Sequence, residues 1–356
     1  MEHKRIVSLD ILRTIAILDV LLVHCTESVY PMNNPTLLSY SILSQFLAIS
    51  LFTLGRLGVP IFFFISGYLL LDKDYRNGGV FAFYRRHLFP LFLTSSIWCV
   101  IYYFYGLFFY HNSFSIWRLL SELLLLSQYE GSQFWYIPVI LGIYLFIPYV
   151  AEALQNINTR EIFLLESISF FYLLLVPMAN IVLQIKKPAL NIGSLVDLSF
   201  SGGVYGIYLI TGYIARKYSY IFRSIKRHIW IIVGGFSFFL LVIFQKWTYE
   251  AGAENNLQYN VWYNNALLFI VSFSIFQFFL MKRYKRNINC ILWMSQASFG
   301  IFLVHNLFIH FFLSWLPITN ELLKTFSIFA LTLSMSIIFM LLIEMNENVA
   351  KIITYK

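Results

Sequence analysis

The sequence predicts an all-α integral membrane protein with about ten transmembrane helices and both termini in the cytoplasm. Composition is the first observation behind this. Of 356 residues, 59% are hydrophobic and only 12% charged, about half the charged share of a soluble domain. Mean hydropathy is +0.72. A water-soluble fold needs a charged skin that this chain cannot supply, and so apolar a chain is not disordered. With 17 Gly and 3 Cys it is neither collagen-like nor a disulfide scaffold. The second observation is a series of long apolar runs, and the third is where the basic residues fall between them.

A helix crossing the hydrocarbon layer, ~30 Å thick, needs about 20 apolar residues. Ten stretches approach this: roughly 6–29, 50–71, 87–110, 134–152, 162–184, 198–215, 229–247, 263–281, 298–315 and 324–346. They are continuous, not the short alternating segments of a membrane barrel. The first contains charges and no small-residue cleavage site, so it is not read as a signal peptide. Residues 37–54 are apolar but interrupted by Ser, Gln and Thr, and are expected to lie partly along the outer interface. The crossing proper is then expected near Arg56-Leu57-Gly58-Val59-Pro60. Residues 113–128 carry Phe114, Trp117, Leu120, Leu123 and Leu124 at helical spacing, which predicts an interfacial helix. The aromatic residues, 19% of the chain, read mostly as interface anchors and lipid-facing bulk. A single domain is expected, spanning 1–356.

With the N-terminus inside, eighteen of the 25 Lys and Arg residues fall on the inner segments, six on the outer ones, and Arg13 inside a span. Retention of basic residues on the cytoplasmic side accounts for this split. It also accounts for the net charge of +8 without nucleic acid as a partner.

Ionisable residues within a span cost about 2.5–3.5 kcal/mol each at its centre. The first span holds Asp10, Arg13, Asp19, His24 and Glu27. Arg13 and His24 are eleven residues apart, three helical turns, so they share a face. Asp10 lies one turn before Arg13 and Glu27 one turn after His24. Asp19 points elsewhere. Counting from Ile6, Arg13 lies about 10 Å and His24 about 27 Å along the axis. Arg is a fixed cation that can hold an anion or polarise a carbonyl. His is suited to proton transfer near neutral pH. The pair suits acyl transfer, with His24 as general base or as transient acyl carrier.

Beyond this stripe the chain resembles the membrane acyltransferase-3 family. The likeness rests on Asp10-Ile11-Leu12-Arg13 with ten residues before His24, and on Val59-Pro60-Ile61-Phe62-Phe63-Phe64-Ile65-Ser66-Gly67-Tyr68. It continues through Arg85-Arg86 before Pro90, Phe134-Trp135-Tyr136-Ile137 with Tyr144 and Pro148, and Ser298-Phe299-Gly300-Ile301-Phe302-Leu303-Val304-His305. The resemblance covers essentially the whole chain, in order. It is nearest the stand-alone branch that includes the O-acetyltransferase of enterobacterial common antigen. It implies a multi-pass protein of a bacterial cytoplasmic membrane. The implied activity moves an acyl group, usually acetyl from acetyl-CoA, to a hydroxyl of a surface polysaccharide or lipid-linked glycan precursor. Arg13 and His24 would be the essential pair, with Arg85 or Arg86 as a further functional arginine. Asp19 stands where such proteins usually have an apolar residue. His87 stands three before Pro90, where arginine is commoner.

Asp10, Glu27, Arg85, Arg86, His305 and Arg56 are the expected substrate-binding residues. Arg85 and Arg86 suit CoA phosphates but are also where positive-inside bias would put them. His305 is either a site residue or a packing histidine. Arg56, at the outer face, is a candidate contact for an anionic glycan or headgroup. The seven histidines show no metal-ligand spacing, so no metal or prosthetic group is expected. A transporter or flippase for a lipid-linked glycan is the alternative reading, although its usual repeated halves are not evident.

Overall fold

The computed structural model describes residues 5–354 except 33, 129–130, 188–191, 194–195, 200–201, 255–261, 283 and 285–288. Arg283, Lys285 and Arg286, Lys4 and Lys356, all counted as inner basic residues, lie outside the described residues, as do residues 200–201 of the sixth expected span. The described residues are helical with no strand. Ten helices match the ten expected stretches. They are α1 (Val7–Val29), α2 (Ile42–Leu70), α3 (Gly79–Phe109), α4 (Gln133–Gln155), α5 (Thr159–Lys186), α6 (Gly203–Lys217), α7 (Arg227–Glu254), α8 (Ala266–Leu280), α9 (Asn289–Trp315) and α10 (Glu321–Glu344).

Seven are long and apolar enough to cross a membrane: α2, α3, α4, α5, α7, α9 and α10. The other three fall short for different reasons. At 23 residues α1 is long enough but carries Asp10, Arg13, Asp19 and Glu27. The 15-residue α6 and α8 reach about 22 Å at 1.5 Å per residue, less than the hydrocarbon thickness.

Two expected boundaries change. The second helix begins at Ile42, not near residue 50, so Arg56 lies in mid-helix and not at the start of a crossing. The helix loosens at Arg56-Leu57 because Pro60 has no N–H to give the Arg56 carbonyl. The third helix begins at Gly79, so Arg85 and Arg86 lie within it. There the chain makes a π turn over Tyr84–Leu88, two residues before Pro90, and α5 repeats this with Phe171–Leu175 before Pro177. An extra residue per turn relieves the clash of a proline ring with the preceding turn. In the expected interfacial stretch a helix does form, Ile116–Leu123, and leaves Phe114, Trp117, Leu120 and Leu124 exposed.

Helix α1 is the axis of the bundle. It packs against α2, α8, α9 and α10, which bury most of its length. Glycines set the closest approaches. A Cβ on Gly58 would lie 2.4 Å from the Ala16 carbonyl oxygen, and one on Gly55 2.5 Å from the Val23 nitrogen. These contacts make α1 and α2 antiparallel. Helices α2 and α6 meet as closely: a Cβ on Gly67 would lie 1.8 Å from the Leu209 oxygen, and one on Gly212 2.2 Å from the Phe64 oxygen. Small residues permit such backbone contact where hydrocarbon supplies no hydrophobic drive.

The helix ends sort onto two faces. Arg216 of α6 bonds the Tyr68 carbonyl of α2 (3.0 Å), Arg227 of α7 the Phe278 carbonyl of α8 (3.0 Å), and Trp293 of α9 meets Glu344 of α10 (2.8 Å). The start of α1 joins them through Asp10 and Ser295. A short helix, Glu347–Ile353, folds back so that Thr94 and Trp98 of α3 bond the carbonyls of Ile352 and Ile353. The described basic residues of the inner segments lie at this face.

Gly67→Ala or Gly212→Ala should destabilise the bundle by ~1–3 kcal/mol, the usual cost of overpacking. Thermal unfolding in detergent should show a lower midpoint for both. Gly142→Ala, inside α4 where an added Cβ meets nothing within 4 Å, should not lower it and should raise it slightly, since alanine favours the helix over glycine.

Candidate active site

The polar stripe of α1 splits into two stations, called inner and outer after the sides they would face if the N-terminus is inside. Eleven residues of helix separate Arg13 and His24 by about 16 Å, so they cannot act on one carbonyl together.

At the inner station the Asp10 carboxylate is 3% exposed and already engaged. Arg5 donates to it through Nε (2.8 Å) and Nη2 (3.0 Å), and Ser295 of α9 through its hydroxyl (2.7 Å). Charge-assisted bonds of this kind lock α1 against α9. Arg13 is left 4.0 Å from the same carboxylate, its side chain 35% exposed amid the helices. Tyr144 of α4 lies within electrostatic range of it. Asp10 therefore has a structural task, while Arg13 keeps a partly exposed guanidinium. Sequence spacing cannot separate Arg5 from Arg13 as Asp10's partner, since both lie within about one turn of it.

Close to this face is a basic group. Arg85 and Arg86 are exposed on the π turn of α3, and the His87 ring packs on Phe83 (4.9 Å) and Tyr144 (6.5 Å). In the loop after α2, Lys73 is exposed, yet partial desolvation by the surrounding chain, reinforced by the positive Arg86 and Arg216, lowers its ammonium below the ordinary value. Crowded cations favour an anionic ligand. Arg216 is held by Asp72 at 2.8 Å.

At the outer station His24 Nδ1 lies 2.6 Å from Glu27 Oε1. With Glu27 ionised, Nδ1 carries the proton and donates it, which leaves Nε2 as a base. The second carboxylate oxygen faces Arg56 Nη2 at 3.9 Å. Arg56 is itself wedged against aromatic faces, 4.7 Å from the Phe52 centroid and 4.6 Å from that of Trp262. His305 of α9 lies with its ring 5.3 Å from the His24 ring. Its Nδ1 donates to the Phe302 carbonyl (2.6 Å), and its buried Nε2 has no partner. Carboxylate, imidazole and second imidazole thus converge, and the cation beside them is Arg56, not Arg13.

Asp19 is buried on another side, where a Cβ on Gly58 would approach its own Cβ within 3.2 Å. His310 bonds Tyr110 and lies within electrostatic range of His24 and His305. Among the described residues no three of His, Cys, Asp and Glu could hold a metal together.

The inner and outer stations should respond differently to substitution. Asp10→Ala leaves the buried Ser295 hydroxyl without its acceptor and frees the largely solvated Arg5, and should destabilise by ~1–3 kcal/mol, the cost of an unsatisfied buried polar group. Arg13→Ala should change stability by less than ~0.5 kcal/mol, as at positions without structural partners. Unfolding midpoints of the purified variants measure both.

A family described as an acyltransferase domain matches residues 6–345. No curated protein and no solved structure matches the chain.

Proposed function

Because the chain belongs to the acyltransferase-3 family, a membrane acyltransferase family, we propose that it moves acetyl from acetyl-CoA to a hydroxyl of a surface polysaccharide or lipid-linked glycan precursor. The observation that carries this is His24, held through Nδ1 by Glu27 with Nε2 left as a base. In this reading His24 Nε2 takes the proton of the acceptor hydroxyl as its oxygen attacks the thioester carbonyl. The carbon–sulfur bond then breaks, and the departing thiolate takes that proton from the imidazolium. Glu27 holds the tautomer and stabilises the imidazolium, the task of the carboxylate in a Ser-His-Asp triad. The Arg56 guanidinium, 3.9 Å from Glu27 Oε2, balances the charge of that carboxylate. His305, beside the His24 ring, offers its unpartnered Nε2 as an acceptor for a neighbouring hydroxyl of the acceptor sugar.

The donor belongs to the other station. Lys73, Arg85 and Arg86 suit the CoA phosphates, since guanidinium matches phosphate geometry. Arg13 guides the arm that carries the thioester upward. We take the basic face as cytoplasmic, with α1, α6 and α8 completing ten spans in a bacterial cytoplasmic membrane. CoA then stays on the inner side while the acceptor is met at the outer half. The intramembrane charges gather on the central helix, a pattern that favours a reaction centre over a transporter's repeated halves.

His24→Ala should lower acyl transfer by about 10²–10⁴, and Arg13→Ala should lower it with the protein still inserted. Mass spectrometry of envelope glycans from deletion and complemented cells should differ by acetyl groups. The absence of any difference would refute the glycan acceptor. In sealed vesicles, transfer to an impermeant outer acceptor should need acetyl-CoA only on the basic-face side. Equal transfer from the opposite side would refute the two-station arrangement.

A further inference from the structure

Three segments at the outer end of the bundle bring aromatic rings together beside the outer station. The turn at the start of α4 supplies Trp135, the first turn of α6 supplies Tyr205, and the segment before α8 supplies Trp262 and Tyr263. Trp135 stacks on Tyr263 at 5.5 Å with 30° between planes, and lies 5.9 Å from Tyr205 and 5.7 Å from Trp262. Trp262 is 41% exposed, and Trp135 and Tyr205 are half-buried.

The rings are held from behind. Gln133, fully buried, accepts from Asn306 of α9 at 2.6 Å and fixes the turn carrying Trp135. The Tyr208 hydroxyl donates to the Tyr263 carbonyl at 2.7 Å. The group also reaches the candidate base by two routes. One runs from Trp262 through Arg56 and Glu27 to His24. The other runs from Trp135 through Tyr136, Phe302 and His305 to His24. Contacts therefore close into a circuit with the imidazole on one side and the indoles on the other. Lipid-facing interface anchors have no reason to be so arranged.

A pyranose ring needs this combination. Its C–H face is apolar and packs on an aromatic face, while its hydroxyls need polar partners at the rim. Aromatic clusters also bind quaternary ammonium groups. Here, however, the Arg56 guanidinium already occupies the faces of Phe52, Trp262 and Tyr263 and would repel a cation. We propose that Trp135, Trp262 and Tyr205 form a stacking subsite for an uncharged or anionic sugar ring of the acceptor. The proposal rests on the acyl-transfer reading for its role but not for its existence. Trp135 and Trp262 are binding residues in it, and Arg56 sets the charge preference.

Binding without turnover tests it. The protein in nanodiscs would be titrated with soluble pyranose oligosaccharides of bacterial envelopes, one set neutral and one containing uronic acids. The wild type should bind members of one set or both. Trp135→Ala and Trp262→Ala should weaken that binding by more than about tenfold, the scale of a lost ring stack. Trp135→Phe and Trp262→Phe, which keep a ring, should stay within about threefold. Undiminished binding by both alanine variants overturns the subsite, as does a wild type that binds no oligosaccharide. Equal loss in the phenylalanine variants also overturns it, because stacking would not then be the cause. Acyl transfer by the wild type is read separately: tryptophan-dependent binding without any transfer from acetyl-CoA would leave the subsite standing and remove the acyl-transfer reading.

Discussion

A helix with two aspartates, an arginine, a histidine and a glutamate can stand in a bilayer only if protein replaces lipid around it. The burial of α1 by its neighbours is the constraint on which the rest of the molecule depends. It requires close packing, which Gly55 and Gly58 provide on the side of α2. It also requires partners for the charges, which Arg5, Ser295, Arg56 and Glu27 provide. The remaining helices take outer positions, with apolar side chains such as Phe104, Leu164 and Phe239 exposed.

Satisfying the charges unequally is what makes α1 more than a costly strut. Asp10 is saturated and serves as a clamp. Glu27 is shared between an imidazole and a guanidinium, so it orients one and balances the other. Arg13 receives only a distant share of Asp10 and keeps an accessible guanidinium. The same residue types thus stand in two differently satisfied settings, separated by about 16 Å of helix.

Much of this was legible in the sequence. The all-helical membrane class, the order of ten apolar stretches and the shared face of Asp10, Arg13, His24 and Glu27 follow from local rules of hydropathy and helical period. The likeness to acyltransferases was legible as well, and a family match over residues 6–345 bears it out at that level. The start of α2, the extension of α3 beyond the Arg85-Arg86 pair and the shortness of α6 and α8 were not legible. Helix ends in these places depend on proline-induced turns and on packing against neighbours, which composition does not record.

The sequence by itself therefore determined what kind of chain this is and which few residues are expensive to bury. The periodicity of one helix suffices for that, because cost in hydrocarbon is a property of each residue. Only the tertiary structure decided who partners whom. It gave Asp10 to Arg5 and Ser295 in preference to Arg13, and set Glu27 between His24 and Arg56. It put His305 against His24 across 281 residues of chain, and gathered Trp135, Tyr205 and Trp262 from three segments. Those choices rest on distances between helices, which no local pattern in the chain encodes.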